Sequence, residues 1–257
     1  MDWLVELPRD VRLEDMRNFD RNGFLFSIFV DHFRDDMTDY FFKSHHLNVA
    51  EGKDDAVLKA MNIAILVRGV LRIFGERDFM YGDRLRLWSA DPQEPVAEFS
   101  AKSFLSSMSM PYEAVSVKNL AVLSGDGGYI SNETSDFCAL CVLDEKIRNI
   151  ALTVGYLGVN WVSLYAIKDH LGFGEREFLE RYEVDPSDLK AFTGMANNFK
   201  ALGPAARHGE KGWDAPKKVM SLEGASSLIL RAVRREAAIL VQEQKIRDQL
   251  REIYSPC

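Results

Sequence analysis

The chain has only three cysteines in 257 residues. That is too few for the disulfide framework of a small secreted domain. Cys138 and Cys141 do make a Cys-x-x-Cys spacing. A structural zinc site needs a second pair of ligands, however, and no strand–helix–strand pattern surrounds them to suggest a redox motif. Flanked by Phe137, Leu140 and Val142, they read as small core residues. Long apolar runs are lacking too. The most apolar stretch, 63–74, is cut by Arg68 and Arg72 and falls well short of the roughly 18 residues of a membrane span. The opening Met-Asp-Trp-Leu-Val-Glu-Leu-Pro carries neither the basic nor the apolar region of a secretory signal. The expectation is a cytoplasmic protein with no membrane partner. Basic charge is in deficit: the net charge of −7 argues against a broad nucleic-acid-binding surface.

Nucleotide and hydrolase signatures are missing as well. Ser-Gly-Asp-Gly-Gly at 124–128 lacks the Gly-Lys-Ser/Thr of a P-loop, and Gly172-Phe173-Gly174 lacks the third glycine of a dinucleotide fingerprint. No Gly-x-Ser-x-Gly elbow occurs. No cofactor is expected.

What remains is an ordinary globular composition, 47% apolar and 28% charged, in a chain long enough to bury a large core. Residues 23–31, dense in aromatic and β-branched side chains, read as a buried strand. Asp54 and Asp55 open a helix whose Ile63, Leu66, Val67, Val70 and Phe74 share one face, with Gly75 as its stop. Residues 84–88 and 96–101 alternate with period two around a proline-marked turn and read as a hairpin, and 112–118 reads as another strand. Beyond Glu133 the pattern is helical over 133–156, 160–171, 175–182, 186–198 and 221–253, punctuated by glycine and proline. Asp185-Pro186 is a cap followed by proline in the first helical turn. The fold class is therefore α+β: a small mixed α/β N-terminal domain over 1–125, then a larger all-α helical domain over 130–257 with an extended C-terminal helix. Trp161, Leu164, Tyr165, Phe192, Leu228, Ile229 and Val233 are expected in its core.

The last helix changes along its length. Past Val241 only Ile246, Leu250 and Ile253 stay apolar, and Ala232, Ile239, Ile246 and Ile253 are each seven apart. Coiled-coil spacing of this kind suits a partner helix, most simply in a homodimer; packing against the N-terminal domain is the alternative.

Two groups of residues carry chemistry. Arg207 and His208 are adjacent in the loop Ala-Ala-Arg-His-Gly, inside a segment (207–251) with ten Lys/Arg against six Asp/Glu. An arginine fork binds phosphate bidentately, and histidine exchanges a proton near neutral pH. Asn197, Asn198 and Lys211 are the nearby polar groups that would add donors to a bound phosphate, RNA being the ligand that the resemblance given below implies. The plainer reading makes Arg207 a structural cap of a helix end. The second group, His32, Asp35, Asp36 and Asp39, falls at one-face helical spacing, with His45 and His46 following. Imidazole with carboxylate suits a transition metal. A solvated acidic face is the expectation, and no metal site is assigned.

Four ordered motifs carry a resemblance: Asn160-Trp161-Val-Ser-Leu164-Tyr165, Phe192-Thr193-Gly-Met-Ala196-Asn197, Leu202-Gly203-Pro-Ala-Ala-Arg207-His208-Gly209 and Met220-Ser221-Leu222-Glu223-Gly-Ala225. Together they resemble a widespread group of bacterial proteins without an assigned activity, over about residues 145–240. More distantly, the helical half resembles HEPN domains. That resemblance implies a dimeric, metal-independent ribonuclease or RNA-binding component of a defence or toxin-type system. Arg207 would hold the phosphate charge while His208 moved a proton from the attacking 2′-OH. The chain departs from the HEPN pattern in placing His208 directly after the arginine, with Gly212, Trp213 and Asp214 where the histidine is usual. The competing class is a non-catalytic protein–protein interaction module with a structural Arg–His turn.

Overall fold

The computed structural model describes residues 3–7, 20, 23–34, 37–75, 85–90, 93–100, 130, 132–172 and 174–254. The strand expected at 112–118, the glycine loop at 124–128 and the domain boundary placed beside it lie outside these residues.

The N-terminal part is a five-stranded antiparallel sheet of β1 (Trp3–Leu7), β2 (Ser27–Arg34), β3 (Met37–Lys43), β4 (Leu85–Ala90) and β5 (Gln93–Phe99), in the order β2-β3-β1-β4-β5. The short β1 is central, with Val5 opposite both Phe42 and Leu87. Period-two alternation explains its face: Trp3, Val5 and Leu7 are buried while Leu4 and Glu6 are less so. On the other face Glu6 accepts a bond from Trp88 Nε1 at 2.7 Å, and Arg86 reaches Glu98 at 3.3 Å. The expected hairpin forms from β4 and β5, with a register shift between Leu87 and Trp88 where Pro95 faces Trp88. Proline cannot donate to the ladder, so an edge strand tolerates it best. The strand expected at 23–31 begins later, at Ser27, and Phe24–Phe26 form a buried bend before it.

The helices are α1 (His45–Asn48), α2 (Lys53–Ile73), α3 (Glu133–Leu143), α4 (Glu145–Leu157), α5 (Trp161–Leu171), α6 (Glu175–Tyr182), α7 (Pro186–Ala196), α8 (Phe199–Leu202), α9 (Leu222–Glu243) and α10 (Ile246–Tyr254). Capping sets most ends. Asn160 and Ser163 form a reciprocal capping box, Asp185 caps α7 ahead of Pro186, and Ser221 caps α9. One continuous apolar core joins the sheet to the helices. Its tightest crossing is α2 against α4, where Gly69 and Gly155 face each other. No helix among the described residues is long and apolar enough to cross a membrane.

Two expected helices are broken. The helix read at 133–156 divides at Asp144, whose carboxylate accepts from Ile147 N at 2.9 Å to cap α4. Arg148 Nη1 meanwhile satisfies the α3 carbonyls of Cys141 and Val142 at 3.2 and 3.0 Å. The extended C-terminal helix read at 221–253 also divides, at Gln244–Lys245, with Lys245 at φ 51°. Ile246 and Leu250, expected on a partner helix, are buried within the chain, and Ile253 is half-exposed.

Candidate functional site

Helix α7 ends at Ala196 with Asn197 as its C-cap, and the chain then doubles back along it. A short helix, a 3₁₀ turn over Gly203–Ala205 and an irregular strap from 206 to 221 lead to α9. Four ties fix this strap. Arg207 N donates to Ala196 O at 2.8 Å, and Asn198 Nδ2 donates to Asp214 O at 2.6 Å. Pro216 meets Gly194, and Lys218 Nζ donates to Ser187 Oγ and Asp188 Oδ1 at 2.9 and 2.8 Å. The contacts move from the end of α7 towards its start as the strap advances, so the two run antiparallel.

Arg207 sits at the first tie. Its guanidinium lies 4.0 Å from the centroid of the Tyr165 ring, and its Nη2 reaches Asp169 Oδ2 at 3.3 Å. Tyr165 stacks on Phe192, and Phe192 stacks on Trp161, at 6.0 and 6.2 Å between centroids. Trp161, Tyr165 and Asp169 follow each other at four-residue intervals on α5, so one helix face presents both the aromatic platform and the carboxylate. The W-x-x-x-Y spacing and the Arg-His turn are thus halves of one structure. Arginine suits it because its weakly hydrated plane stacks on a ring while its edge donates.

His208 is held elsewhere. Its ring meets Trp213 edge-on at 6.3 Å, and Trp213 is itself half-exposed. Arg207 and His208 are therefore adjacent in sequence but occupied by different neighbours. Asn198 is spent on structure: besides its bond to Asp214 O, its Oδ1 accepts from Ala201 N at 3.0 Å and caps α8. Asn197 Oδ1 is buried without a hydrogen-bond partner among the described residues. Lys211 is exposed on the strap.

The acidic group near the N-terminus does not share a helix face. His32 lies on β2 and Asp39 on β3, while Asp35 and Asp36 lie outside the described residues. A hairpin alternates its side chains, so helical spacing has no meaning there. His46 is buried, with Nε2 3.1 Å from Phe24 O. Among the described residues no group of three His, Cys, Asp or Glu side chains is placed to hold a metal. Cys138 and Cys141 are fully buried free thiols, and burial raises the pKa of both, as befits inert core residues.

Among the described residues, two of the buried polar centres that sequence reasoning missed stand out. Glu236, fully buried in α9, accepts from Lys146 Nζ at 2.5 Å, Arg181 Nε at 2.6 Å and Tyr182 OH at 3.2 Å, joining α4, α6 and α9. The available signal was a lone carboxylate on the apolar face made by Ala232, Val233 and Ala237. Asp20 is the second. Its Oδ2 accepts from Leu25 N and Phe26 N at 2.8 and 3.2 Å, and its Oδ1 from Ser135 Oγ at 3.1 Å. Both are enclosed by their own donors, which suits cross-linking of elements rather than contact with a substrate.

A scan against protein-family models finds no match, and searches of curated proteins and of solved structures find none either. Function therefore rests on the residues themselves.

Proposed function

We propose that this is a cytoplasmic, non-catalytic interaction protein in which the Arg–His turn is a structural clasp for the strap over 206–221. The observation that carries this reading is the position of Arg207, stacked at 4.0 Å on Tyr165 and paired with Asp169. A phosphate-binding arginine would have to exchange that carboxylate for the ligand, and its neighbouring histidine points its chemistry at Trp213 instead. The strap presents Trp213 and Val219, 50% and 73% exposed, which are the side chains a protein partner would cover.

The clasp is tested by a double-mutant cycle. Arg207→Ala and Tyr165→Leu should show a coupling of about 0.5–1 kcal/mol in urea unfolding. Purified wild type and His208→Ala should both leave single-stranded RNA intact. Cleavage by wild type that His208→Ala abolishes would overturn the reading in favour of a HEPN-like ribonuclease.

RNA binding without cleavage is the second reading, favoured by one observation: a half-exposed tryptophan beside a histidine, with Lys211 on the same strap, is a stacking platform for an unpaired base. Glu210 and Asp214 offset much of its positive charge, so the protein-partner reading stands first. Fluorescence titration with oligouridylate, repeated on Trp213→Ala, separates the two: quenching lost in the variant supports RNA.

A further inference from the structure

The break between α9 and α10 is made by residues that favour helix. Gln242, Glu243, Gln244 and Lys245 include no glycine or proline, and each is a good helix former. Helices usually stop where glycine or asparagine takes up the left-handed conformation. Here a lysine takes it, at φ 51°, and a side chain disfavours that conformation. Local sequence and tertiary structure disagree, so the bend must be imposed by what α10 docks against.

The docking contacts are specific. Ile246 and Leu250 are fully buried. Arg247 clamps the buried Asp136 of α3 through Nε at 2.8 Å and Nη2 at 2.6 Å. Beside this pair lies a pocket of about 20 Å³, lined by Phe74, Phe137, Ala237 and Val241 together with Asp136 and Arg247 themselves. If Lys245 turned to the right-handed region, α9 and α10 would merge into one helix over 222–254, about 50 Å long. Ile246, Arg247 and Leu250 would leave their seat together, and Ile239, Ile246 and Ile253 would lie at seven-residue spacing on the merged helix.

We propose that α10 is exchangeable between two copies of this chain: the merged helix of one copy delivers Ile246, Arg247 and Leu250 into the seat beside Asp136 of the other, and receives the reciprocal contact. A second copy is the occupant because its seat is, by identity of sequence, the one these side chains already fit. Exchange of an identical element is a low-cost route to a dimer, and a short hinge under strain favours it. The symmetry is closed, since two seats receive two helices.

Lys245 is exposed, so its variants alter the hinge without disturbing the core. Lys245→Gly relieves the left-handed conformation and weakens the merged helix, whereas Lys245→Ala does the reverse. The closed-to-open balance should differ between them by about tenfold per copy, and the dimerisation constant by about a hundredfold. Light scattering over a concentration series should find Lys245→Ala the more dimeric. A second experiment mixes Asp136→Lys with Arg247→Glu. Each alone opposes like charges in both the closed and the exchanged form. Together they restore opposite charges in both seats of a one-to-one heterodimer, which native mass spectrometry should detect. Hinge variants that dimerise equally overturn the proposal, as do folded charge variants that give no heterodimer. If the charge variants do not fold, the hinge pair decides alone.

Discussion

Gly69 on α2 and Gly155 on α4 stand back to back at a helix crossing that admits no side chain. A Cβ on Gly69 would lie 1.8 Å from Ala151 O, and one on Gly155 would lie 1.9 Å from Ile65 O. Both obstacles are backbone, which cannot swing aside as a flexible side chain can. Such intimate crossings bring Cα–H groups against carbonyl oxygens of the facing helix. This pair ties the helix that follows the first three strands to the helical half of the chain.

Gly69→Ala and Gly155→Ala should each destabilise by about 3 kcal/mol or more, because the helices must separate. Gly194→Ala is the contrast. Its Cβ would meet Pro216 at 3.4 Å, and alanine adds about 1 kcal/mol of helix propensity. Urea midpoints should therefore drop sharply for the first two and hold or rise for the third. A wild-type midpoint for Gly69→Ala would mean that the crossing is looser than described.

Asp20 and His46 should give stability opposite pH slopes. Both are buried and both hold the bend at Phe24–Phe26, Asp20 through the amides of Leu25 and Phe26 and His46 through Phe24 O. Burial raises the Asp20 carboxyl to about 6, against the partial counteraction of its hydrogen bonds, and burial lowers the His46 imidazole to about 4. The folded state thus holds the Asp20 proton more tightly than the unfolded chain, so this residue adds stability as pH falls from about 6 towards 3.8. For His46 the unfolded chain holds the proton more tightly, so stability is lost as pH falls from 6.5 towards about 4. Each effect is roughly 3 kcal/mol, and they largely cancel. Stability of the wild type should be nearly flat from pH 4 to 6.5. Asp20→Asn should make it rise with pH and His46→Gln should make it fall. Parallel profiles for all three proteins would remove both groups from the account.

Glu236→Gln should cost roughly 2 kcal/mol near neutral pH, where hydrogen bonds from Lys146 and Arg181 to a buried carboxylate are replaced by weaker ones to an amide. Burial by itself pushes the Glu236 carboxyl up, but the bonds from Arg181 and Lys146, with their charges, together hold it below its usual value. The carboxylate therefore stabilises the fold above the ordinary glutamate range and loses that contribution as acidification protonates it. Thermal unfolding at pH 7 and pH 3 should find the gap between wild type and variant narrowing in acid. A gap that is constant with pH would assign the effect to packing instead.

The helical half was legible wherever a local signal set an end. Asp185-Pro186, Asn160 and the glycines at 172 and 174 bound helices within a residue or two of the observed limits. The expected core residues Trp161, Leu164, Phe192, Leu228, Ile229 and Val233 are buried, while Tyr165 is only partly so because it serves as the floor beneath Arg207. The breaks at Asp144 and Lys245 are hard to read because helix-compatible residues continue through both: at the first, Asp144 caps the new helix while Arg148 takes up the freed α3 carbonyls, and at the second the distant partner Asp136 holds Arg247. Strands β1 and β3 escaped for a related reason. Their pairing depends on segments distant in sequence, and around His32 to Asp39 a helical spacing of polar residues imitates a period the hairpin does not have. For the Arg–His turn, the residue types were visible, but their neighbours Tyr165 and Asp169 are some forty residues earlier, and only the fold brings them together.

The central place of β1 has a consequence for synthesis. A ribosome releases Trp3–Leu7 well before either flanking strand exists, yet Val5 needs Phe42 on one side and Leu87 on the other. One edge of the nascent strand can pair once β3 has emerged, but the other stays open until β4 follows more than forty residues later. Such distant pairing folds slowly. This makes the interval between the emergence of β1 and β4 the time when the growing chain most needs a chaperone.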